Sequence, residues 1–300
     1  MYLFNYFILL GLSMLLIACN ADKASVEKLY PNEPDTISLI KLANFLSDED
    51  VIRIAKSDNK MDNYKGVKEV PQDRDDFRFD TLDDLYWKGI HSIKSDFRAA
   101  SFRSSDCSEA DFSGSDFRVA DIRWTSFFFS NMDSCMFSQS KMFHVYGTGG
   151  TFNNCDFRGA NMFGMEAHAA QLKNCNFSNA LMKDTEFTDS DFTGSTAINV
   201  RFIRAVMDNV KLDTMDLSYS DFTGASLKKT TFINSRLLDV NFQGAHCQNA
   251  DFSGADLKGA NFFGTEFKDT KFVGAINIPS NIKHMIKEGI ATGTLQVQGE

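Results

Sequence analysis

From Phe97 to Phe272 every fifth residue is apolar or small, through thirty-six positions without an insertion or deletion. Nineteen are Phe and twelve are Leu, Met or Ile; only Cys107, Gly147, Ala167, Ala197 and Cys247 are smaller. A second column runs two residues before the first and is Ala, Ser, Thr, Cys or Val in 33 of its 36 places. Between the columns Asp recurs, as at Asp96, Asp116, Asp156 and Asp251. A period of five suits neither regular element. Five residues on an α-helix turn by about 140°, which would wind the Phe column around every face. On a flat strand, residues five apart point to opposite sides. The chain must therefore turn once per repeat, returning each large side chain to a shared interior. The small column sits where a larger side chain would clash, and the Asp column faces water. An all-β solenoid with a one-dimensional core follows.

The segments "ADFSGSDFRVADIRW", "CDFRGANMFG", "SDFTGASLKK" and "ADFSGADLKGANFFGTEFKD" resemble the A(D/N)LXX unit of the pentapeptide-repeat family. The resemblance covers about 180 of the 300 residues. It implies a right-handed quadrilateral β-helix with four pentapeptides per coil, hence about nine coils over residues 95–275. The residues agree with four sides: Phe97, Phe117, Phe137, Phe157 and Phe177 lie twenty apart, as do Cys135, Cys155 and Cys175. Two oversized members of the small column, Met165 and Met215, fall near the undersized Ala167 and Ala197, which reads as volume compensation.

The flanks carry other signals. Residues 1–18 are apolar and end Leu16-Ile17-Ala18-Cys19, which resembles the lipobox of bacterial lipoproteins. That resemblance implies a signal peptide over 1–18, diacylglycerol on Cys19 and a membrane-anchored chain in the bacterial cell envelope. Asn20 after the Cys favours the outer over the inner membrane. An uncleaved anchor is the alternative, since about 18 apolar residues just span a bilayer and no Lys or Arg precedes the run. Residues 19–34 read as a tether. Residues 35–94 read as a small helical region that caps the first coil. Within it, 35–46 and 47–56 form a helical hairpin, and 81–89 is a helix opened by Thr81 and Asp84 at capping spacing. Such a cap is needed because a solenoid end exposes strand edges. Residues 276–300 read as a C-terminal helical cap and tail, with Pro279 starting a helix and Gly289 stopping it. A homodimer through that cap is the rival reading.

Charge and chemistry narrow the function. The net charge is −9, of which −5 falls on residues 95–275 and −4 on 20–94. Such a balance disfavours nucleic-acid binding through a basic groove. The sequence contains no P-loop, no GxSxG, no HExxH and no Cys-x-x-Cys. No catalytic constellation, cofactor or metal site is expected. Cys135, Cys155 and Cys175 read either as small buried hydrophobes or as a disulfide between adjacent coils.

One feature exceeds a passive solenoid. The residue after each core position points outward, and on one side these include Phe143, Phe163 and Ile203. Trp124 and His144 adjoin them at a corner, and Phe128 and Phe129 begin the next side. Contiguous exposed aromatics mark a contact surface. Either a protein partner or the chain's own residues 20–94 cover it. The leading expectation is a non-enzymatic, membrane-anchored lipoprotein acting as a rigid protein-interaction scaffold for an unknown partner. The alternative, implied by the family resemblance, is a DNA mimic acting on a type II topoisomerase if the chain is not exported.

Overall fold

The computed structural model describes residues 75–294. Cys19, the apolar segment 1–18, the tether and the helical hairpin of residues 35–56 lie outside the described residues. From Asp76 to Ile276 the backbone winds with a twenty-residue period, every bridge being parallel and joining residue i to i+20. Four pentapeptides therefore complete one coil, and each pentapeptide forms one side. The first side carries Phe77, Phe97 and Phe117 inward, the second Leu82, Phe102 and Ile122. The third carries Trp87, Cys107 and Phe127, and the fourth Ser92, Phe112 and Met132.

Each side is built the same way. The inward residue donates its N–H to a carbonyl nineteen residues on, as Phe97 does to Asp116 at 2.8 Å. The chain then turns, and the small residue three further donates back, as Ala100 does to Phe97 at 3.0 Å. The third residue of every turn is left-handed: all forty, from Phe79 to Gly274, have positive φ. Twelve are Gly, seven Asn and five Asp, the residues that tolerate this region best. The corner column is thus a third sequence constraint, alongside the large and small columns.

The interior is a set of ring stacks. Phe97 and Phe117 lie parallel with centroids 4.7 Å apart, and the stack continues through Phe137, Phe157 and Phe177. Phe202, Phe222 and Phe242 form a second stack on the next side. Where Gly147 interrupts the third side, the Phe152 ring of the fourth side and Met165 of the next coil fill the gap. A Cβ there would meet Phe152 Cζ at 3.0 Å and Met165 Cε at 3.2 Å. Met165 thus compensates the coil above it at Gly147, as well as standing beside Ala167.

Two expected boundaries differ. Residues 81–89 are not a helix but part of a complete coil, with Leu82 and Trp87 buried at core positions. The five-residue register runs back through Trp87 and Leu82 to Phe77. Ser92, whose hydroxyl bonds to that of Ser95 at 2.8 Å, is the polar break that hid it. The repeat therefore starts twenty residues before the expected boundary, giving forty inward positions rather than thirty-six. At the other end the helix is one turn only, α1 (Ser280–Lys283). The rest is a hairpin of β2 (Ile286–Lys287) and β3 (Ile290–Thr294), and β3 pairs antiparallel with β1 (Glu266–Lys271) of the last coil. Glu288 and Gly289, both at positive φ, form the two-residue hairpin turn. One helical turn has little stability of its own, whereas β3 satisfies part of the exposed edge of β1. Ile282 and Ala291 are fully buried beneath this cap.

Candidate interaction surface

Elements that cannot serve as chemistry are quickly placed. The five described cysteines are free and buried. Cys135, Cys155 and Cys175 do not pair; each thiol donates to a main-chain carbonyl one coil back, at Phe112, Met132 and Phe152, over 3.1, 3.0 and 2.9 Å. Ser115, Ser195 and Ser235 in the same column make the same bond to Ser92, Leu172 and Leu212. Cysteine here stands in for serine. Burial pushes the Cys135 thiol up to about 12 and raises Cys155 strongly, so neither is a nucleophile. Among the described residues no group of three His, Cys, Asp or Glu could hold a metal ion.

The bridge-position carboxylates of the first side are occupied structurally. On the first side Asp96, Asp116 and Asp156 each clasp the Arg two residues on through paired bonds, such as Arg118 to Asp116 at 2.9 and 2.6 Å. The Arg98 hydrogen bonds hold the Asp96 carboxyl below its ordinary range. Burial would raise Asp156, but the Arg158 bonds outweigh it and the net direction is also down. These pairs alternate in sign along the ladder and leave the first side neutral between residues 95 and 214.

The aromatic residues are brought together largely as their spacing implies. Phe143 and Phe163 sit in adjacent coils at the second corner, in edge contact with centroids 6.4 Å apart. The His144 ring meets Phe163 at 5.7 Å. Trp124 is 46% exposed, and the Arg123 guanidinium, held by Asp121 at 2.7 and 2.6 Å, lies 5.3 Å from its ring. Phe128, across the third side, contacts Tyr146 at 6.0 Å. Ile203 stands apart: Lys183 occupies the same ladder between it and Phe163.

One member was not singled out from sequence: Tyr146 fills a bridge position of the third side. Phe129, which begins that side with Phe128, is 68% exposed at its corner. Phe129 and Trp124 have φ of 55° and 59°, in the corner column that Gly, Asn and Asp dominate. That column would have flagged both as outliers. A non-glycine side chain in this region costs about 1–2 kcal/mol, and an exposed ring recovers little of it by burial. Partial support comes from the next coil. A Cβ on Gly149 would lie 2.5 Å from the Phe129 ring, and one on Gly164 would lie 2.5 Å from His144 Cε1. The two rings rest on glycine backbone and are held in place by it.

Comparison with known proteins agrees with this architecture. The family profile described as "Pentapeptide repeat region" matches residues 195–272, and that described as "Pentapeptide repeats (8 copies)" matches 93–118, 148–179 and 170–209. Together these segments span half of the chain. No curated protein matches it significantly. Among solved structures, it is similar to HetL, a pentapeptide repeat protein involved in heterocyst differentiation regulation from the cyanobacterium Nostoc. The identity is 17%, over 75% of this chain and 98% of that one, with a TM-score of 0.33. It is also similar to a trypsin-treated variant of QnrB1, a plasmid-mediated fluoroquinolone resistance protein (16% identity, 62% and 90% coverage, TM-score 0.45). A third likeness is to a pentapeptide repeat protein from the Arabidopsis thaliana thylakoid lumen (24% identity, 38% and 68% coverage, TM-score 0.19).

Proposed function

The chain belongs to the pentapeptide-repeat family, whose members fold as right-handed quadrilateral β-helices and are generally non-enzymatic structural or interaction proteins, and from that premise we propose that it is a lipid-anchored scaffold that binds a protein partner through its aromatic surface. Cys19 carries the lipid, on the strength of the Leu-Ile-Ala-Cys sequence before it. The envelope, and within it the outer membrane, is the site of action. The solenoid binds without rearranging: its corner side chains are fixed by main-chain ladders, so little ordering cost falls on association.

The observation that carries this reading is that two of the four exposed aromatics at left-handed corners, Trp124 and Phe129, adjoin the Phe143, Phe163, Phe128 and Tyr146 rings, whereas Phe79 and Tyr219 stand apart on the first side. Folding alone favours Gly or Asn there, so selection for contact explains what selection for stability does not. A DNA-mimic role asks for negative charge wound around the whole solenoid. The second side instead carries Arg103, Arg123, Lys141, Lys183, Arg201 and Arg204 against only Asp121 and Asp184 over residues 95–214.

The test is site-specific photo-crosslinking in intact cells. A photoreactive residue at position 143 should yield a discrete adduct, and one at position 153 on the fourth corner should not. Fatty-acid labelling of the same cells should vanish in Cys19→Ser. Crosslinks of equal yield at 143 and 153 would sink the partner reading; label that survives Cys19→Ser would sink the anchor.

A further inference from the structure

The aromatic surface borders a side of unusual charge. Between residues 95 and 214 the third side and its corner consist of 105–109 and the segments twenty apart down to 205–209. Those thirty residues include Asp106, Glu109, Glu166, Glu186, Asp189 and Asp208 and no Lys or Arg. Their one basic group is His168, 3.6 Å from Glu186. The first side balances its charges pair by pair, and the second is net basic. The fourth side over the same range sets Asp111, Asp133, Asp191 and Asp213 against Lys173 and Lys211, so the strongest negative charge falls on the side whose middle displays Phe128, Phe129 and Tyr146.

We propose that the third side, with Phe129 as its anchor, docks a cationic, arginine- or lysine-bearing segment of a partner protein. This rests on the partner-binding reading above and adds the chemistry of what is bound. Two independent features of the surface ask for the same occupant. Aromatic faces attract guanidinium and ammonium groups through their quadrupole, and arginine stacks on them better than lysine. Carboxylates above and below the rings raise the local concentration of cations and fix their register. The protein already contains the arrangement in miniature at the neighbouring corner, where the Arg123 guanidinium lies beside the Trp124 ring and is held by Asp121. Among the described residues Glu166, one coil beyond Tyr146, makes no side-chain hydrogen bond or ion pair. Glu109 instead exchanges with Lys88 of the preceding coil at 3.0 Å. Glu166 and Glu186 are consequently the carboxylates an incoming cation meets first.

The experiment uses the full chain in detergent and a fluorescein-labelled deca-arginine peptide, with deca-glutamate as control, read by fluorescence anisotropy at two salt concentrations. Phe129→Asn keeps a residue suited to the left-handed corner, so the coil folds, and it should weaken binding about tenfold. Glu166→Gln with Glu186→Gln should weaken it about fivefold and flatten its salt dependence. Asp133→Asn with Asp213→Asn, on the fourth corner, removes the same charge elsewhere and should change binding less than about twofold. Thermal melts confirm that each variant is folded. Equal loss in the two double variants would mean unspecific attraction to an acidic protein and would overturn the proposal, as would an unaffected Phe129→Asn or the absence of deca-arginine binding. If deca-arginine fails to bind while the photoreactive residue at 143 still captures a discrete partner, the cationic assignment falls and the scaffold reading stands. If both fail, both fall.

Discussion

Replacing Phe222 by Ala tests whether the ring stacks, and not burial alone, hold the solenoid together. Phe222 is fully buried. It lies parallel to Phe202 at 4.6 Å and to Phe242 at 5.3 Å, and meets Phe232 edge-on at 6.0 Å. Truncating a buried Phe costs about 3–5 kcal/mol through lost transfer energy and the residual cavity. Each ring contact adds about 0.5–1.5 kcal/mol beyond area, so this site belongs at the top of that range, near 5 kcal/mol. Phe187 is equally buried but meets only Phe192, at 5.1 Å. Phe187→Ala should therefore cost about 1–2 kcal/mol less than Phe222→Ala. Phe222→Leu restores the residue found at Leu217, Leu227 and Leu237 and should recover most of the loss. Urea unfolding followed by far-ultraviolet circular dichroism reads all three variants. In a nearest-neighbour solenoid a weakened coil can unfold separately, so a lowered denaturant slope is part of the expected result for Phe222→Ala. Equal losses at 222 and 187 would refute the argument and leave burial as the whole source of core stability.

Three further outcomes follow from the same geometry. Gly149→Ala should destabilise by about 1–2 kcal/mol, since its φ is +69° and the new Cβ strikes the Phe129 ring. Adding Phe129→Asn should recover part of that loss in thermal melts, and a strictly additive pair would deny the contact. Cys155→Ser should stay within about 1 kcal/mol of wild type, because serine makes this bond at 115, 195 and 235. Cys155→Val should cost about 0.5–1.5 kcal/mol by removing the second donor to the Met132 carbonyl, which keeps the Cys135 N–H at 3.2 Å. Acid should destabilise through Asp96, Asp156, Asp216 and Asp251, all held below the ordinary value of 3.8. A lowered folded-state value means the stabilisation is complete above the unfolded-chain value and is lost as pH falls below it through the folded-state values. The melting temperature should thus hold from neutral pH down to about 5 and drop below about 4, less steeply in Asp96→Asn.

The period of five was legible because it is imposed by a core with no freedom of register. A single slipped residue would turn Phe97 or Phe117 outward and strand every ring beyond it. The corner column was less visible, since its rule is conformational and not chemical. Gly, Asn, Asp, Lys and Trp share little except that all forty corner residues adopt positive φ. Without that rule, the sequence marks Phe128 and Phe129 alike as surface aromatics and does not show that Phe129 alone sits at a left-handed corner. The first coil was hidden by Ser92, because a polar residue at a core position breaks a pattern judged by hydropathy; its hydroxyl is satisfied by Ser95, which only coordinates reveal. The C-terminal cap misled for the opposite reason. Residues 280–289 have helical periodicity and a Gly stop, but the open edge of β1 offers backbone partners that a one-turn helix cannot match.

The division of labour among the columns bears on how such a chain acquires a function. Inward and small positions are bound by packing, and the bridge and corner positions carry what remains variable. Within that freedom, cheap choices dominate: Asn179 bonds to Asn199 along one corner ladder, and Asp184 to Arg204 along another, each coil securing the next. Trp124 and Phe129 depart from this economy at two adjoining corners, as Phe79 and Tyr219 do on the first side, and the former two do so beside the one side from which Lys and Arg are absent between residues 95 and 214. Stability does not explain Phe129, whose ring is mostly in water, and explains the half-exposed Trp124 only in part, because an exposed ring gains little to offset a left-handed backbone. A shared occupant explains both, since a cation bound against an aromatic face requires the ring exposed and the surrounding charge negative. The strain at the corner and the charge of the side then have one cause, and Phe129→Asn separates its two consequences: folding should be kept or improved while cation binding is lost.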